Sequence, residues 1–237
     1  MRAAILAGGR GTRLAPYTTV LPKPLVPVGE RPILELIMRQ LSAAGFTRVD
    51  LCVGHLGELI RVYFAESGAS PEGLELGYHY ENEPMGTAGA VRDLAPLDGP
   101  MLVMNGDILT TLDYADLVAF HERNDAAMTI ATKRKEVTID LGVIEAEEEA
   151  VTGYIEKPTL GYEVSMGIYV YSPRAIELIP DGRFDFPDLV LALIGAGEKV
   201  CRYHFDGPWY DIGTIGELEL ATSAYNDEAD LFEPPTR

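Results

Sequence analysis

A glycine turn after a short apolar run, followed by prolines that forbid a helix, sets the narrowest limit on how this chain can fold. Residues 2–7 (RAAILA) are almost wholly apolar and end in Gly8-Gly9. That is the pattern of a parallel strand buried on both faces. Two known phosphate loops open a helix at such a point. A Walker A loop needs G-x-x-x-x-G-K-[ST], which is absent. A dinucleotide fingerprint needs a third glycine where Leu14 stands, and Pro16, Pro22, Pro24 and Pro27 rule out the long helix that should follow. Two readings remain: a plain tight turn, or a loop whose successive N–H groups wrap an anion.

Charge distribution bears on that choice. The chain of 237 residues has a formal net charge of −18. This argues against nucleic acid or an anionic membrane as partner. Yet the first acidic residue is Glu30, and Arg2, Arg10, Arg13 and Lys23 precede it. The N-terminal segment can therefore be a local anion site in an acidic protein.

Beyond the loop, Ile33, Leu34, Ile37, Met38 and Leu41 recur at helical spacing after Pro32, with Gly45 as stop. Strands are predicted at 49–53, 74–80 and 101–105, and helices at 56–64 and 87–94. This alternation predicts a doubly wound sheet, with ligands at the C-terminal strand ends. Gly8-Gly9 and Asp107 both fall at such ends. Further on, the pattern predicts helices at 113–124, 173–179, 186–196 and 215–224. Strands are predicted at 127–132, 142–145, 151–156, 163–171 and 199–205. The acidic tail after Tyr225 is expected to be poorly ordered.

No apolar run approaches the roughly 20 residues that span a bilayer, and the N-terminus lacks a signal-peptide pattern. The expectation is a cytoplasmic protein. Cys52 and Cys201 are expected as buried thiols. His55, His79, His121 and His204 lack metal-ligand spacing.

The segment LAGGRGTRLAPYTTVLPKPLVPVGERP resembles the signature of the sugar-1-phosphate nucleotidyltransferases, roughly L-A-G-G-x-G-T-R-L-x-P-x-T-x-x-x-P-K-P-[LM]-x-P-V. The resemblance extends to about Tyr225. It implies a Rossmann-like three-layer α/β/α domain with a mixed, mostly parallel sheet. Residues 1–225 would form one domain, with a nucleotide-binding half at 1–110 and a sugar-phosphate half at 111–225; residues 226–237 would be an acidic tail.

The resemblance also implies roles. Leu6, Ala7, Gly8, Gly9, Gly11 and Thr12 would hold the triphosphate. Arg13 would bind the departing phosphates, and Lys23 would approach the α-phosphate. Glu83-Pro84-Met85-Gly86-Thr87-Ala88-Gly89 resembles the base-reading segment, so Glu83, Gly86 and Thr87 join the nucleotide site. Asn105-Gly106-Asp107 and Trp209-Tyr210-Asp211-Ile212-Gly213-Thr214 resemble motifs whose aspartates bind Mg²⁺, with Asn105 beside the nucleotide. Tyr154-Ile155-Glu156-Lys157-Pro158 resembles the sugar-phosphate motif. Glu156 would bond sugar hydroxyls, and Lys157 the phosphate. Gly142 and Ser165 complete the sugar site. Two positions depart from the pattern: Leu141 replaces an aromatic residue, and Val164-Ser165-Met166 replaces V-N-A.

The implied reaction is in-line attack of a sugar 1-phosphate on the α-phosphate of a nucleoside triphosphate, with Mg²⁺, Arg13, Lys23 and Lys157 neutralising charge. MGTAGA and the Asn-Gly-Asp triplet look most like guanylyltransferases acting on mannose or heptose 1-phosphate. Uridylyl, thymidylyl or cytidylyl transfer, and a non-catalytic nucleotide-sugar-binding regulator, are the alternatives. No hexapeptide-repeat region is visible, so no fused β-helix acyltransferase is expected. The sequence leaves open whether the chain forms a homo-oligomer.

Overall fold

The computed structural model describes residues 1–81 and 83–234. It begins with β1 (Arg2–Ala7), then a loop holding three short 3-10 turns and the strands β2 (Pro27–Val28) and β3 (Arg31–Pro32). There follow α1 (Ile33–Ala43), β4 (Arg48–Val53), α2 (Gly57–Glu66), β5 (Glu75–Tyr80), α3 (Gly86–Arg92) and β6 (Met101–Asn105). Next come β7 (Ile108–Thr110), α4 (Tyr114–Arg123), β8 (Met128–Thr138), the hairpin β9 (Val143–Glu147) and β10 (Ala150–Ile155), and β11 (Thr159–Tyr171). The last elements are α5 (Pro173–Ile176), α6 (Phe186–Gly195), β12 (Val200–His204), β13 (Trp209–Asp211), α7 (Ile215–Asp227) and α8 (Ala229–Phe232).

Seven strands form one sheet in the order β12-β8-β11-β6-β1-β4-β5. β1 pairs in parallel with β4 and β6, β4 with β5, and β12 with β8. β11 runs antiparallel to both its neighbours. The sheet is thus mixed and mostly parallel, in an α/β fold.

The unbroken apolar run of β1 follows from its central place. Ala3, Ile5 and Ala7 enter one buried cluster, with Ile33, Ile37 and Leu41 of α1. Ala4 enters the opposite cluster, with Ala88 and Val91 of α3 and Leu189 and Leu193 of α6. Successive side chains point to opposite faces, so both must be apolar. Both clusters draw on residues before and after 110.

At the opposite end of the strands from Gly8, Asp50 of β4 is fully buried. It accepts from Arg2 Nε of β1 at 2.6 Å, Arg48 Nη2 at 3.0 Å and His79 Nε2 of β5 at 2.8 Å. One carboxylate therefore ties three adjacent strands.

Several features depart from the expected pattern: β8 runs six residues past its predicted end, β11 starts four before its own, and Cys201 is only partly buried. β7 and β13, three residues each, pair with Asp211 opposite Ile108. Such short pieces carry too little alternation to be read from sequence. The tail also differs. α7 runs to Asp227, and Phe232 of α8 is 2% exposed, packed near Tyr210 and Tyr225. Arg31 Nε lies 3.2 Å from Glu233, which also accepts from the Tyr225 hydroxyl. The expectation of poor order after Tyr225 therefore fails for residues 226–234, because one aromatic side chain finds a seat in the core. Residues 235–237 lie outside the described residues. Among the described residues, no helix is long and apolar enough to cross a membrane.

Candidate active site

The C-terminal ends of β1, β4, β5 and β6 open into one cleft of about 770 Å³. Leu6, Ala7, Gly8, Gly9, Gly11 and Thr12 line it. Gly11 has φ +61°, the left-handed region that costs glycine least. Its carbonyl accepts from the Thr18 hydroxyl at 2.8 Å. Leu14, which stands where a dinucleotide loop has its third glycine, is fully buried. It anchors the loop to the core instead of opening a helix.

At one end of the cleft, Lys23 and Asp107 form an ion pair through Asp107 Oδ2. Asp107 Oδ1 is buried and has no hydrogen-bond partner. The β7–β13 pairing brings in Asp211, and Ile212 N–H donates to the Asp107 carbonyl at 3.0 Å. Desolvation, then the Asp107 charge, push the Asp211 carboxyl above its ordinary range; Lys23 and Arg13 oppose that rise. Two carboxylates that repel each other, one with an orphaned buried oxygen, suit a hard divalent cation with oxygen ligands. Two carboxylates alone leave most of its coordination to water or phosphate oxygens. The Arg13 guanidinium lies along Gly213. A Cβ there would sit 3.2 Å from Arg13 Nη2, so the glycine makes room for the cation.

At the other end, Gly86 and Thr87 line the cleft but Glu83 does not. The start of α3 is held by the loop before α6. Thr87 N–H donates to Asp185 Oδ1 at 3.1 Å. Ala88 and Gly89 N–H donate to the Phe184 carbonyl at 3.0 and 2.9 Å. The N–H groups of Thr87, Ala88 and Gly89 are thus satisfied within the protein. Gly86 has φ +78°, and a Cβ there would meet the Phe184 carbonyl oxygen at 2.5 Å.

Asn105 also lines the cleft, whereas Gly142, Glu156, Lys157 and Ser165 lie outside that lining. Glu156 accepts from the Tyr154 hydroxyl at 2.9 Å, and Lys157 pairs with Asp140 at 2.8 Å. Gly142 lies directly against the Tyr154 hydroxyl. Ser165 sits in a bulge of β11. Its hydroxyl donates to the Tyr169 hydroxyl at 3.1 Å and accepts from Gly167 N–H at 3.3 Å. Met166 is buried in the core, and its carbonyl accepts from Trp209 Nε1 at 3.0 Å.

Sequence reasoning missed three residues. Glu81 and His55 line the cleft, and Asp185 holds the α3 turn. No motif marks them. Glu81 and His55 had one available signal, since each follows the C-terminal end of a predicted strand. Asp185 had none, being contributed from 98 residues away. Burial raises the Glu81 carboxyl above its ordinary range, against the pull of the Met85 N–H bond.

Comparison with known proteins places this geometry. The family profile described as nucleotidyl transferase matches residues 2–228. The chain is 31% identical to a UTP–glucose-1-phosphate uridylyltransferase of Synechocystis sp., with 91% of this chain and 61% of the relative aligned. It is 30% identical to a mannose-1-phosphate guanyltransferase of Yarrowia lipolytica, over 95% of this chain and 64% of the relative. The chain therefore spans somewhat under two thirds of the length of these relatives. Among solved structures, HddC of Yersinia pseudotuberculosis superposes with a TM-score of 0.74 at 24% identity, covering 94% of this chain and 99% of that one.

Proposed function

Because the chain belongs to the nucleotidyl transferase family, we propose that it joins a nucleoside triphosphate to a sugar 1-phosphate and releases pyrophosphate. GTP is the proposed donor, and mannose or heptose 1-phosphate the proposed acceptor. The observation that carries the reading is that Arg13, Lys23 and Asp107 line a glycine-walled cleft, with the Asp211 carboxylate near enough to feel the charge of all three.

An oxygen of the sugar phosphate attacks the α-phosphorus. The bond from that phosphorus to the bridging oxygen breaks, and the electron pair leaves on pyrophosphate. The nucleophile is already ionised at neutral pH, so no side chain needs to remove a proton. Backbone groups of Gly8, Gly9 and Gly11 let the phosphates approach closely. Lys23 neutralises the α-phosphate, and Arg13 the departing phosphates. Asp107 and Asp211 would hold Mg²⁺, which when bound supplies further charge neutralisation at the phosphate oxygens. Lys157 would hold the acceptor's phosphate and Glu156 its sugar hydroxyls, in place of their present partners Asp140 and Tyr154.

The test is a matrix of nucleoside triphosphates against sugar 1-phosphates, read by pyrophosphate release with Mg²⁺. Release that needs both substrates supports the proposal. Binding of nucleotide without release for any pair would favour a regulatory nucleotide-sugar binder.

A further inference from the structure

The turn that opens α3 is held from outside its own helix. Met85, just before α3, gives no side-chain cap, and Asp185 gives none to α6, which it precedes. The two helices exchange caps instead. Asp185 Oδ1 accepts from Thr87 N–H at 3.1 Å, and the Thr87 hydroxyl accepts from Phe186 N–H at 2.8 Å. The backbone closes the same contact, with Phe184 N–H donating to the Met85 carbonyl at 2.9 Å.

Both sides are built for this. Asp185 Oδ2 faces Arg183 at 3.3 Å, which leaves Oδ1 to Thr87. A Cβ on Gly86 would stand 2.7 Å from Oδ1, so the close approach needs a glycine. α6 is itself seated in the core. Leu189 and Leu193 are fully buried, and the Phe186 ring stacks on Tyr169 with centroids 3.9 Å apart. Gly86, Thr87 and Ala90 line the cleft, whereas Asp185 lies outside the lining. One wall of the cleft thus takes its shape from a helix that starts 98 residues later in the chain.

We propose that Asp185 is a positioning residue for nucleotide binding, acting through Thr87 to fix the cleft-facing turn of α3. The proposal rests on the reading that the cleft takes a nucleoside triphosphate. The physical gain is pre-organisation: a turn ordered beforehand spares the ligand the cost of ordering it. Thr87 is exposed, so without Oδ1 its N–H turns to water. The start of α3 then gains conformations that binding must remove. Ordering one residue's backbone is equivalent to about ten-fold in affinity. Asp185 does this without touching the ligand.

The experiment is titration with GTP and, separately, UTP in the presence of Mg²⁺, on wild type and three variants. Asp185→Ala is expected to weaken binding of the preferred nucleotide about ten-fold. Asp185→Asn keeps an oxygen for Thr87 N–H and loses only an exposed ion pair, so it is expected to stay within about three-fold of wild type. Leu193→Val opens a small cavity under the same helix without touching the exchanged caps. It is expected to lower the melting temperature and leave nucleotide affinity within about two-fold. In pyrophosphate release, the Asp185→Ala effect is expected in the KM for nucleotide, with kcat within about three-fold. Unchanged binding by Asp185→Ala overturns the proposal, as does a loss in kcat alone. Equal weakening in Asp185→Ala and Asp185→Asn also overturns it. Equal weakening in Asp185→Ala and Leu193→Val does so too, because it marks a loss of general stability. Failure of the transferase reading is separable. Wild type that binds nucleotide and releases no pyrophosphate leaves the Asp185 assignment standing, and wild type that binds neither nucleotide removes both.

Discussion

Replacing Asp50 by asparagine will destabilise the protein by about 2 kcal/mol near neutral pH, and the loss will shrink on acidification. Burial by itself would raise this carboxyl's pKa, but hydrogen bonds from Arg48, His79 and Arg2 outweigh it and hold the value at about 2, against 3.8 ordinarily. The group's folded value is depressed, so its stabilisation is fully present above the unfolded value and is lost as pH falls through the folded one. A shift of roughly 1.8 units at about 1.36 kcal/mol per unit gives about 2.4 kcal/mol. The same linkage leaves about half of that at pH 3. The assay is urea unfolding of wild type and Asp50→Asn at pH 7, 5 and 3. Other carboxylates titrate in both proteins and cancel in the difference. The gap should be constant from pH 7 to 5, then fall by about 1 kcal/mol at pH 3. A gap that is already negligible at pH 7, or one that does not change with pH, would refute the reasoning. The site is linked to this clamp, since β1 and β4 carry Gly8 and Gly54 at their other ends.

Two further outcomes are expected. Asp107→Ala removes the acceptor for Lys23 and one proposed metal ligand; turnover should fall on the order of 10²-fold or more at saturating Mg²⁺, with the fold intact by circular dichroism. Near wild-type turnover would remove Asp107 from the chemistry. Gly86→Ala places a Cβ 2.5 Å from the Phe184 carbonyl oxygen at a positive φ. It should cost about 1–3 kcal/mol, and weaken nucleotide binding more than Asp107→Ala does, read by titration.

Much of the nucleotide half was legible because it is local. The apolar run of β1, the glycine turn and the excluding prolines lie within thirty residues, and their meaning depends on sequence spacing alone. The same holds for α1, whose apolar spacing and leading proline place it within a residue of its observed start. Legibility failed where a contact joins distant segments. Asp185 caps a turn ninety-eight residues earlier in the chain. Met166 stands beside Ser165 in the sequence motif, and only the packing shows that its side chain is buried in the core. Phe232 turned an acidic tail into a packed helix because a core seat was available.

The fold class, the strand that bears the loop and the cations gathered near it could all be read along the chain. Periodicity and steric exclusion act along the chain, so they can be read there. Packing alone brings Asp107 and Asp211 within range of each other's charge, through two strands of three residues each. It also decided that Glu81, and not Glu83, reaches the cleft. Those facts depend on which strand ends converge in space, and burial and charge act across that distance without leaving a pattern in the order of residues.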